Sequence, residues 1–440
     1  MNNVTVIGAG VVGINCVLRL IDERGPDTKI TWIYDSSVPI FGIGESTTAA
    51  LPSQIAFSTN IVLPHIRHHF DSTIKYGNKF VGWGKRKDKN FIHWFDLERH
   101  GMHFDTKKFS EFFLENISKT TPDLELLDQK IDSIQFYHDG VYVNNNRYDY
   151  VIDCTGGNSL IDHDEYFDIP IRTVNTCLAA RIDKPADWGV TIAYAHQHGW
   201  MFGIPLKTRR TWGYCYNSDL TTEEEALADF KSIVPDVDEY RKIQWKQRMS
   251  TYLVHPSGRY ARNGNAVGFI EPIESLAGAY YDEISDQIVA HALQCNPNDM
   301  NKIIELNDWY YEDVVDDWLK CVAWLYQFGS KYDSTFWNRT SEECRNYLND
   351  PDIFDISMLD ELDTFTDDLF NKIADNDNLL NRFISNDLEQ IGCTGQLPSF
   401  INSYRDFLEL ALGMGAPYAH KFPTMTPPID PPEPHGELSH

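Results

Sequence analysis

The first 37 residues contain two apolar runs separated by a glycine turn and an amphipathic stretch. The run "VTVI" leads into "GAGVVG", apolar residues at helical spacing follow in "INCVLRLIDE", and "KITWIY" forms the second run. This order predicts a strand, a turn, a helix and a second, parallel strand, which together make a βαβ unit. The sequence therefore predicts an α/β fold with a Rossmann-like sheet at its start.

Two other patterns follow along the chain. The segments "TIAYAHQHGWMFGIPL" and "TWGYCYNS" predict strands of an antiparallel sheet inserted at about residues 165–255. Windows such as "IIELNDWYYEDVVDDWLKCVAWLYQF" have apolar residues at helical spacing, and their aromatic residues are expected to fill a core. We therefore divide the chain into a core at residues 1–280 that holds the inserted sheet, a mainly helical module at 281–416 and a proline-rich tail, extended or disordered, at 417–440.

The glycine turn after the first run has the spacing of a dinucleotide-binding motif. Gly8, Gly10 and Gly13 stand where such a motif needs a tight turn, close approach of the backbone to a pyrophosphate, and close packing of helix on strand. Val11 belongs to the same turn, and Asp35 ends the second run, where its carboxylate can accept hydrogen bonds from ribose hydroxyls. The motif predicts a dinucleotide cofactor, either NAD or FAD.

A second segment bears on the choice between these cofactors. "YDYVIDCTGG", at residues 148–157, is an apolar strand that runs into an Asp and a Thr-Gly-Gly turn. In flavoprotein hydroxylases a strand that ends in Asp-x-Thr-Gly, or a near variant, closes the FAD-binding sheet. Alone, the segment is equally compatible with a buried strand and a turn. Together with the glycine motif it favours FAD.

Charge and composition narrow the class of ligand. The formal net charge of −27, from 38 Lys and Arg against 65 Asp and Glu, argues against nucleic acid or an anionic membrane as a partner. No uncharged run of 18 apolar residues occurs, and we expect a cytoplasmic protein. The eight cysteines form no Cys-x-x-Cys pair, which predicts reduced, mostly buried thiols and no metal site. A small molecule is the expected ligand.

Three motifs resemble those of the flavin-dependent tryptophan halogenases. "GIGEST" at residues 42–47 resembles their Gly-x-Gly-Glu-Ala-Thr segment, and "GWMFGIPL" at 199–206 resembles their Trp-x-Trp-x-Ile-Pro signature. "GFIEPIESLAGAY" at 268–280 resembles the stretch that carries the catalytic glutamate and the halide site. Further similar segments occur in the same order over about residues 1–340. The chain is identified as a member of this family, and its shortness suggests a divergent, virus-encoded one.

The resemblance implies an FAD-binding, Rossmann-like flavoprotein monooxygenase fold with the inserted antiparallel sheet and a helical C-terminal module on the substrate side. It also implies that FADH2, O2 and a halide (bromide, iodide or chloride) give a hypohalous acid, which a lysine delivers to an aromatic substrate. Indoles, phenols or anilines are the expected substrates. Reduced flavin would come from a separate NAD(P)H flavin reductase, and a homo-oligomer is compatible with the sequence.

The same resemblance assigns the catalytic residues. Lys75, in "STIKYGNKFVGWG", would carry the halogenating agent, and burial would lower its pKa towards that of a usable nucleophile. Glu274 would stabilise the ring cation and remove its proton, while Ser275 would orient this carboxylate. The backbone N–H groups of Leu276 and Ala277 would bind the halide.

Gly42, Gly44, Glu45 and Ser46 would form the flavin strap, a loop along the isoalloxazine that links the flavin site to the halogenation site. Glycines permit close approach, and the Glu and Ser side chains can bond ring or ribityl oxygens. A helix N-cap formed by Ser46 or Thr47 is the alternative interpretation, and both can hold.

The roles of three further residues have weaker support. His93 and Phe95 would help to sandwich the substrate ring, although core packing is the usual role of a His beside aromatic residues. The Glu-Pro-Ile-Glu segment otherwise predicts an exposed turn, and its first acid, Glu271, is expected to be less central than Glu274.

The sequence departs from the family pattern at several points. Leu276 stands where Thr is usual, and Asn265 replaces an acid that would contact the ribityl chain. The preceding "RYARN" is a poor apolar strand. Phe202 stands where the signature has its second Trp, so the signature positions here are Trp200, Phe202, Ile204 and Pro205. Weak flavin affinity is one expectation from these changes.

Two alternative functions therefore remain open at this stage. A flavoprotein aromatic hydroxylase would share the fold and the oxygen chemistry but would not need Lys75 or the Trp-x-Phe-x-Ile-Pro segment. A non-catalytic flavin-binding protein is suggested by the departure at "GNAVG", residues 264–268.

Overall fold

The computed structural model describes residues 3–40, 42, 45–48, 50–59, 65, 68–84, 90–95, 100–157, 160, 165–294 and 296–350. Gly44 of the predicted strap, residues 351–416 of the predicted helical module and the predicted proline-rich tail lie outside the described residues.

The strands are short and lie mostly in the first two thirds of the chain. They are β1 (Asn3–Ile7), β2 (Lys29–Tyr34), β3 (Thr73–Lys75), β4 (Gly77–Val81), β5 (Phe91–Trp94), β6 (Gly101–His103), β7 (Glu125–Asp128), β8 (Ile134–Tyr137), β9 (Gly140–Val143), β10 (Asn146–Tyr148), β11 (Tyr150–Asp153), β12 (Tyr166–Asp168), β13 (Thr176–Ile182), β14 (Thr191–His196), β15 (Gly199–Pro205), β16 (Arg210–Tyr216), β17 (Arg241–Gln244), β18 (Arg248–Ser250), β19 (Tyr260–Arg262) and β20 (Gly268–Phe269).

The helices become dense after residue 275. They are α1 (Val11–Glu23), α2 (Ala50–Thr59), α3 (Thr106–Thr120), α4 (Glu223–Ile233), α5 (Leu276–Gln294), α6 (Met300–Trp309), α7 (Asp317–Tyr326) and α8 (Thr335–Leu348). A π-helical turn, Tyr310–Asp316, joins α6 to α7, and short 3-10 turns occupy Gly264–Ala266 and Ile273–Ser275.

The predicted βαβ unit forms the middle of a parallel sheet with the strand order β19-β11-β1-β2-β7. Strands β1 and β2 pair in parallel, and β11, the strand of "YDYVIDCTGG", pairs in parallel with β1. The poorly apolar β19 completes this sheet by pairing in parallel with β11. The buried guanidinium of Arg262, in β19, donates to the hydroxyl of Ser250, in β18 of another sheet, at 2.6 Å. Helix α1 packs against α5, with the Asn15 amide donating to Asp282 at 2.8 Å.

A second sheet has seven strands in the order β17-β13-β16-β15-β14-β4-β5. Its strands from the predicted insert pair antiparallel, as in the register of Phe202 opposite Gly213. Strand β4 comes from residues 77–81, well before the insert, and pairs in parallel with β14. This pairing attaches the segment that contains Lys75 to the edge of the inserted strands, which the sequence pattern did not predict. The predicted fold class, α/β with an inserted sheet and C-terminal helices, is confirmed.

Aromatic residues fill the core between this sheet and the C-terminal helices, as the helical spacing predicts. Trp318 and Tyr310 are fully buried, and Trp324 is 8% exposed. Trp83 makes edge contacts with Trp200 and Trp337 at ring-centre distances of 5.9 and 4.9 Å. These contacts hold the end of β4 and the helices against the inserted sheet.

Six of the cysteines, namely Cys16, Cys154, Cys177, Cys215, Cys321 and Cys344, are buried free thiols, as predicted. Within the described residues no group of three or more His, Cys, Asp or Glu side chains is arranged to hold a metal ion. Nor does that part of the chain contain a helix that is long and apolar enough to cross a bilayer.

Candidate active site

The glycine turn between β1 and α1 has the geometry of a nucleotide-binding loop. Gly8 has φ of 116°, and a Cβ added there would lie 2.3 Å from the carbonyl oxygen of Cys154. A Cβ at Gly13 would lie 2.2 Å from the carbonyl oxygen of Gly8. A Cβ at Gly10 would meet no heavy atom of the described residues within 4 Å. Two glycines are therefore required by packing, and the third has space beside it in the described part of the chain.

The residues present fit a dinucleotide at this loop. Helix α1 begins at Val11, and the Gly10 N-cap has no side chain to bond the N–H groups of the first turn. Such an N-terminus suits a pyrophosphate. Asp35 lies directly after β2, and hydrogen bonds from the Ser37 backbone and hydroxyl lower the pKa of its carboxyl. Asn265 is exposed, and its Oδ1 accepts a hydrogen bond from the Tyr281 hydroxyl at 2.9 Å.

The side chain of Glu45 ties the described part of the strap to the interior of the protein. Glu45 is fully buried and accepts hydrogen bonds from both terminal nitrogens of Arg209 and, at 2.8 Å, from the Thr211 hydroxyl. Arg209 also donates to Asp105 at 2.9 Å. Burial raises the pKa of Glu45, and Arg209 opposes this shift. The Glu45 side chain is thus directed into the protein, so any contact with a flavin would use its main chain. Within the described residues, a Cβ at Gly42 would meet no heavy atom within 4 Å.

The N-cap interpretation of Ser46 and Thr47 does not match the described contacts. The Ser46 hydroxyl is bonded to the hydroxyls of Thr191 and Ser275, at 3.0 and 3.1 Å. The Thr47 hydroxyl donates to the Thr48 carbonyl and accepts from the backbone N–H of Met102. Helix α2 begins at residue 50. Both hydroxyls therefore fasten the strap to the site and to β6.

Lys75 ends β3 and is fully buried. Its Nζ donates to the Ser275 hydroxyl at 3.1 Å and lies 5.1 Å from the centre of the Phe95 ring. Burial lowers the pKa of Lys75 from 10.5 to about 7, although the charge of Glu274 opposes this shift. A substantial fraction of Lys75 is therefore a neutral amine near neutral pH, which is the nucleophilic form.

Glu274 lies in a left-handed backbone conformation, with φ of 58°. Its Oε2 accepts a hydrogen bond from the Asn78 amide and lies 3.2 Å from Nδ1 of His93. Its side chain is 3% exposed, and Oε1 has no hydrogen-bond partner among the described residues. A buried carboxylate oxygen without a partner is costly, so its retention here points to function.

The strained turn continues into the helix that follows it. Ser275 also has a positive φ, 62°, and its hydroxyl is positioned between Lys75 and Ser46. Two successive left-handed residues that are not glycine are uncommon and tend to occur at functional sites. Leu276 begins α5, and its N–H donates to the carbonyl oxygen of Ile273, so a halide would have to share this donor. Ala277 follows in the first turn of α5, half-buried.

The expectation of an exposed Glu-Pro-Ile-Glu turn is wrong, because both of its carboxylates are buried. Glu271 is fully buried and accepts a hydrogen bond from the Tyr326 hydroxyl at 2.6 Å. That hydroxyl accepts one from the Trp200 indole, also at 2.6 Å. Burial raises the pKa of Glu271 to about 8. The sequence could not show this because the partners are 55 and 71 residues away in the chain.

The signature segment forms β15, and every residue of that strand is buried. Phe202 takes the space opposite Gly213, where a Cβ would lie 2.1 Å from the Phe202 ring. Ile204 is buried in the main core, and the Pro205 carbonyl accepts a hydrogen bond from the Thr73 hydroxyl at 2.8 Å. The described contacts of β15 therefore hold neighbouring elements of the site in place.

Sequence reasoning missed several residues that the structure brings to the site. Asn78 and Thr191 lie opposite each other on the parallel strands β4 and β14, and each contacts a predicted site residue. His103, on β6, is fully buried beside them. His93 and Phe95 lie at the same place, with ring centres 6.3 Å apart. No local motif marks Asn78, Thr191 or His103, because their partners are distant in sequence.

Comparison with known proteins gives a consistent result. The family model described as tryptophan halogenase matches residues 3–137 and 99–372. The tryptophan 7-halogenase RebH of Lentzea aerocolonigenes is 23% identical over 78% of this chain and 79% of its own length. The 7-chloro-L-tryptophan 6-halogenase KtzR of Kutzneria sp. (strain 744) is 25% identical over 44% of this chain and 39% of its own length. The crystal structure of MibH, a tryptophan 5-halogenase, superposes with a TM-score of 0.73 at 18% identity, covering 98% of this chain and 88% of its own.

Proposed function

Since this chain belongs to the tryptophan halogenase family, we propose that it is an FAD-dependent enzyme that halogenates a small aromatic substrate, with Lys75 delivering the halogen. The observation that supports this most directly is the buried amine of Lys75, bonded to Ser275 and close to the carboxylate of Glu274, one oxygen of which has no partner among the described residues. A hydroxylase has no use for such an amine, because it transfers oxygen without an intermediate carrier.

The chain's own residues would hold the cofactor at the glycine turn. Gly10 and Val11 would present the open N-terminus of α1 to the pyrophosphate, and Asp35 would accept hydrogen bonds from ribose hydroxyls. When bound, reduced FAD together with O2 supplies the oxidant that converts halide into hypohalous acid. A separate NAD(P)H flavin reductase supplies the reduced flavin.

Lys75 then controls where the oxidised halogen goes. Its neutral amine either holds hypohalous acid by a hydrogen bond or reacts with it, forming an N–halogen bond as the hydroxyl leaves in water with a proton from the amine. Formation of the N–halogen bond needs the unprotonated nitrogen, which burial of Lys75 makes available near neutral pH. The first-turn N–H groups at Leu276 and Ala277 bind the halide before it is oxidised.

Glu274 assists the substitution at the aromatic ring. Addition of the halogen creates a positive charge on the ring, and the arenium ion then loses a proton to restore aromaticity. The unpartnered Oε1 of Glu274 is available for both tasks, while Asn78 and His93 hold Oε2. His93 and Phe95 flank the substrate, and we propose indoles, phenols or anilines as its class.

The test is incubation of the purified protein with FAD, a flavin reductase, NADH, bromide and a panel of indoles, phenols and anilines, followed by mass spectrometry. The expected result is a product with the bromine isotope pair. A gain of one oxygen would instead make the protein a hydroxylase. Flavin binding without any product across the panel would make it a non-catalytic flavin protein.

A further inference from the structure

A continuous series of hydrogen bonds, part-buried near Lys75 and buried at its far end, runs from Lys75 into the interior of the protein. The first links are Lys75 to Ser275, Ser275 to Ser46, and Ser46 to Thr191, at 3.1, 3.1 and 3.0 Å. The Thr191 hydroxyl then contacts His103 Nε2 at 2.9 Å. The last links are His103 Nδ1 to the Thr73 hydroxyl at 3.1 Å and Thr73 to the Pro205 carbonyl oxygen at 2.8 Å.

The last hydrogen bond, from Thr73 to the Pro205 carbonyl oxygen, fixes the direction of all the others in this series. A carbonyl oxygen can only accept, so the Thr73 hydroxyl must donate its one proton to Pro205. The Thr73 oxygen can then only accept from His103, which places a proton on Nδ1. Burial and the charge of Lys75 lower the pKa of His103 well below its usual value, so the ring is neutral and Nε2 is an acceptor.

The same reasoning continues back to the amine. Thr191 must donate to His103, Ser46 must donate to Thr191, and Ser275 must donate to Ser46. The single proton of the Ser275 hydroxyl is therefore used in the bond to Ser46, and the Ser275 oxygen can only accept a hydrogen bond from Lys75. Without this constraint the hydroxyl could rotate and donate to the neutral amine, which would occupy the nitrogen lone pair.

We propose that His103 is a positioning residue that, through Thr191, Ser46 and Ser275, keeps the lone pair of the Lys75 nitrogen free for the oxidised halogen. This inference rests on the proposed function for its purpose, but the tautomer of His103 and the direction of the chain can be measured without any halogenation. His103 touches no reacting atom, and the proposed effect on the Lys75 lone pair passes through the three hydroxyls.

The titratable groups facing Lys75 in the described part of the chain are few. Glu274, from the strained turn before α5, has a charge that raises the pKa of Lys75. His93, from β5, lies against Glu274. His103, from β6, faces Lys75 from the opposite strand of the β3–β6 pair. Removing a hydroxyl from the chain changes none of these charges, which makes Thr191 the best position for a test.

The first measurement is the tautomer of His103 in the wild-type protein, read from nitrogen-15 labelled histidine by long-range NMR correlation. The His103 signal is identified by its absence from His103→Asn. The chain requires the Nδ1–H tautomer. If Nε2 carries the proton instead, the direction reverses at Thr191 and the proposal is overturned, whether or not the protein halogenates anything.

The second measurement compares Thr191→Val, which removes the hydroxyl, with Thr191→Ser, which keeps it. In Thr191→Val, Ser275 becomes free to donate to the amine, so the pKa of Lys75, followed by carbon-13 NMR of labelled lysine, should fall by about half a unit to one unit. Halogenation should fall roughly five- to tenfold with flavin reoxidation unchanged. Thr191→Ser should restore both quantities to near wild type.

Thr340→Val is the matched control, because Thr340 is a buried threonine in α8 whose hydroxyl has no partner among the described residues. It should leave the pKa of Lys75 unchanged. If Thr191→Val does not fold, Thr73→Val replaces it in the experiment, because it removes the hydroxyl whose bond to Pro205 sets the direction of the other hydrogen bonds. An unchanged Lys75 pKa in a folded Thr191→Val or Thr73→Val protein would refute the positioning role, even in an active halogenase.

Discussion

Two buried clusters of charge meet at neighbouring residues of the strap and differ in how completely they are paired. At Glu45, both carboxylate oxygens accept hydrogen bonds, and the bonded Arg209 reaches a second acid, Asp105. One residue later, Ser46 leads through Ser275 to Lys75, a buried amine whose only described hydrogen bond is to a serine hydroxyl. Glu45 and Lys75 are both fully buried.

The difference separates structural from functional burial of charge. Around Arg209 both acids contact the guanidinium and both oxygens of Glu45 accept hydrogen bonds, as buried ions in a stable core require. Around Lys75 the pairing is less complete: burial lowers the pKa of Lys75 to about 7, and Oε1 of Glu274 has no partner among the described residues. Strongly perturbed groups of this kind concentrate where chemistry takes place. Mutations around Arg209 should therefore lower stability, and mutations around Lys75 should lower activity.

The largest effect is expected for Lys75→Met. Product should fall below detection while flavin binding and reoxidation continue, and the free energy of unfolding should stay equal or rise because a poorly solvated amine has been removed. Lys79→Met, on the half-buried position of the neighbouring strand, is the control and should stay active. Retention of more than about a tenth of wild-type halogenation by Lys75→Met would remove Lys75 from the mechanism.

The next effect concerns Glu274→Gln, which keeps the size of the side chain but loses its charge. Halogenation of indoles should fall by ~10²- to 10⁴-fold, the usual range for loss of a general base. Electron-rich phenols form more stable cations and should lose less. Rates for both substrate classes, measured with excess reductase, check this, and an equal, small loss for both would make Glu274 a structural acid.

Arg209→Met should act on stability rather than on chemistry. It leaves Glu45 and Asp105 buried without their cation, which should cost about 3–5 kcal/mol in the free energy of unfolding. Urea titration followed by tryptophan fluorescence measures this loss. The comparison between the two clusters fails if Arg209→Met is as stable as the wild type, or if Lys75→Met loses as much stability as Arg209→Met.

The pH dependence gives a smaller, graded test. If the neutral amine of Lys75 is the active form, halogenation should rise about tenfold per pH unit below 7 and level off above it. For stability, the folded pKa lies below the unfolded one, so the unfolded state binds more protons between pH 7 and 10.5 and stability should rise with pH in that window.

The titration of Glu271 changes stability with pH in the opposite direction, so the contribution of Lys75 has to be measured as a difference between two proteins. Its folded pKa of about 8 exceeds the ordinary 4.5, so its contribution is lost as pH rises through that interval. Subtracting the stability profile of Lys75→Met from that of the wild type isolates the lysine. A difference that does not change between pH 7 and 10 would show that Lys75 titrates normally.

The smallest effect concerns the halide. Leu276 offers no hydroxyl to replace lost hydration, and chloride is costlier to desolvate than bromide or iodide. In competition at equal concentrations, brominated or iodinated product should exceed chlorinated product, by roughly a few-fold. Leu276→Thr should narrow this preference. Mostly chlorinated product from the wild type would contradict the desolvation argument.

Part of the fold and part of the site could be predicted from local sequence. The glycine turn was predictable because its motif lies within Gly8 to Gly13, and in the structure a Cβ would collide with a carbonyl oxygen at Gly8 and at Gly13. The helical spacing likewise predicted the buried face that contains Trp318. By contrast, the Glu-Pro-Ile-Glu segment predicts an exposed turn only while its distant partners are unknown.

By itself, the sequence determined the βαβ unit, the inserted strands and the C-terminal helices, because each depends on spacing within a short stretch. Lys75 and Glu274 are predictions from the resemblance of their segments to a known family. Only the tertiary structure decided which hydroxyls reach the Lys75 amine, which oxygen of Glu274 stays unpartnered and why Glu45 belongs to the core. These properties depend on the pairing of β4 with β14 and β3 with β6, which brings together Thr73, His103 and Thr191. Desolvation and hydrogen-bond direction are set by all the groups that surround an atom, and no segment of the chain contains that information alone.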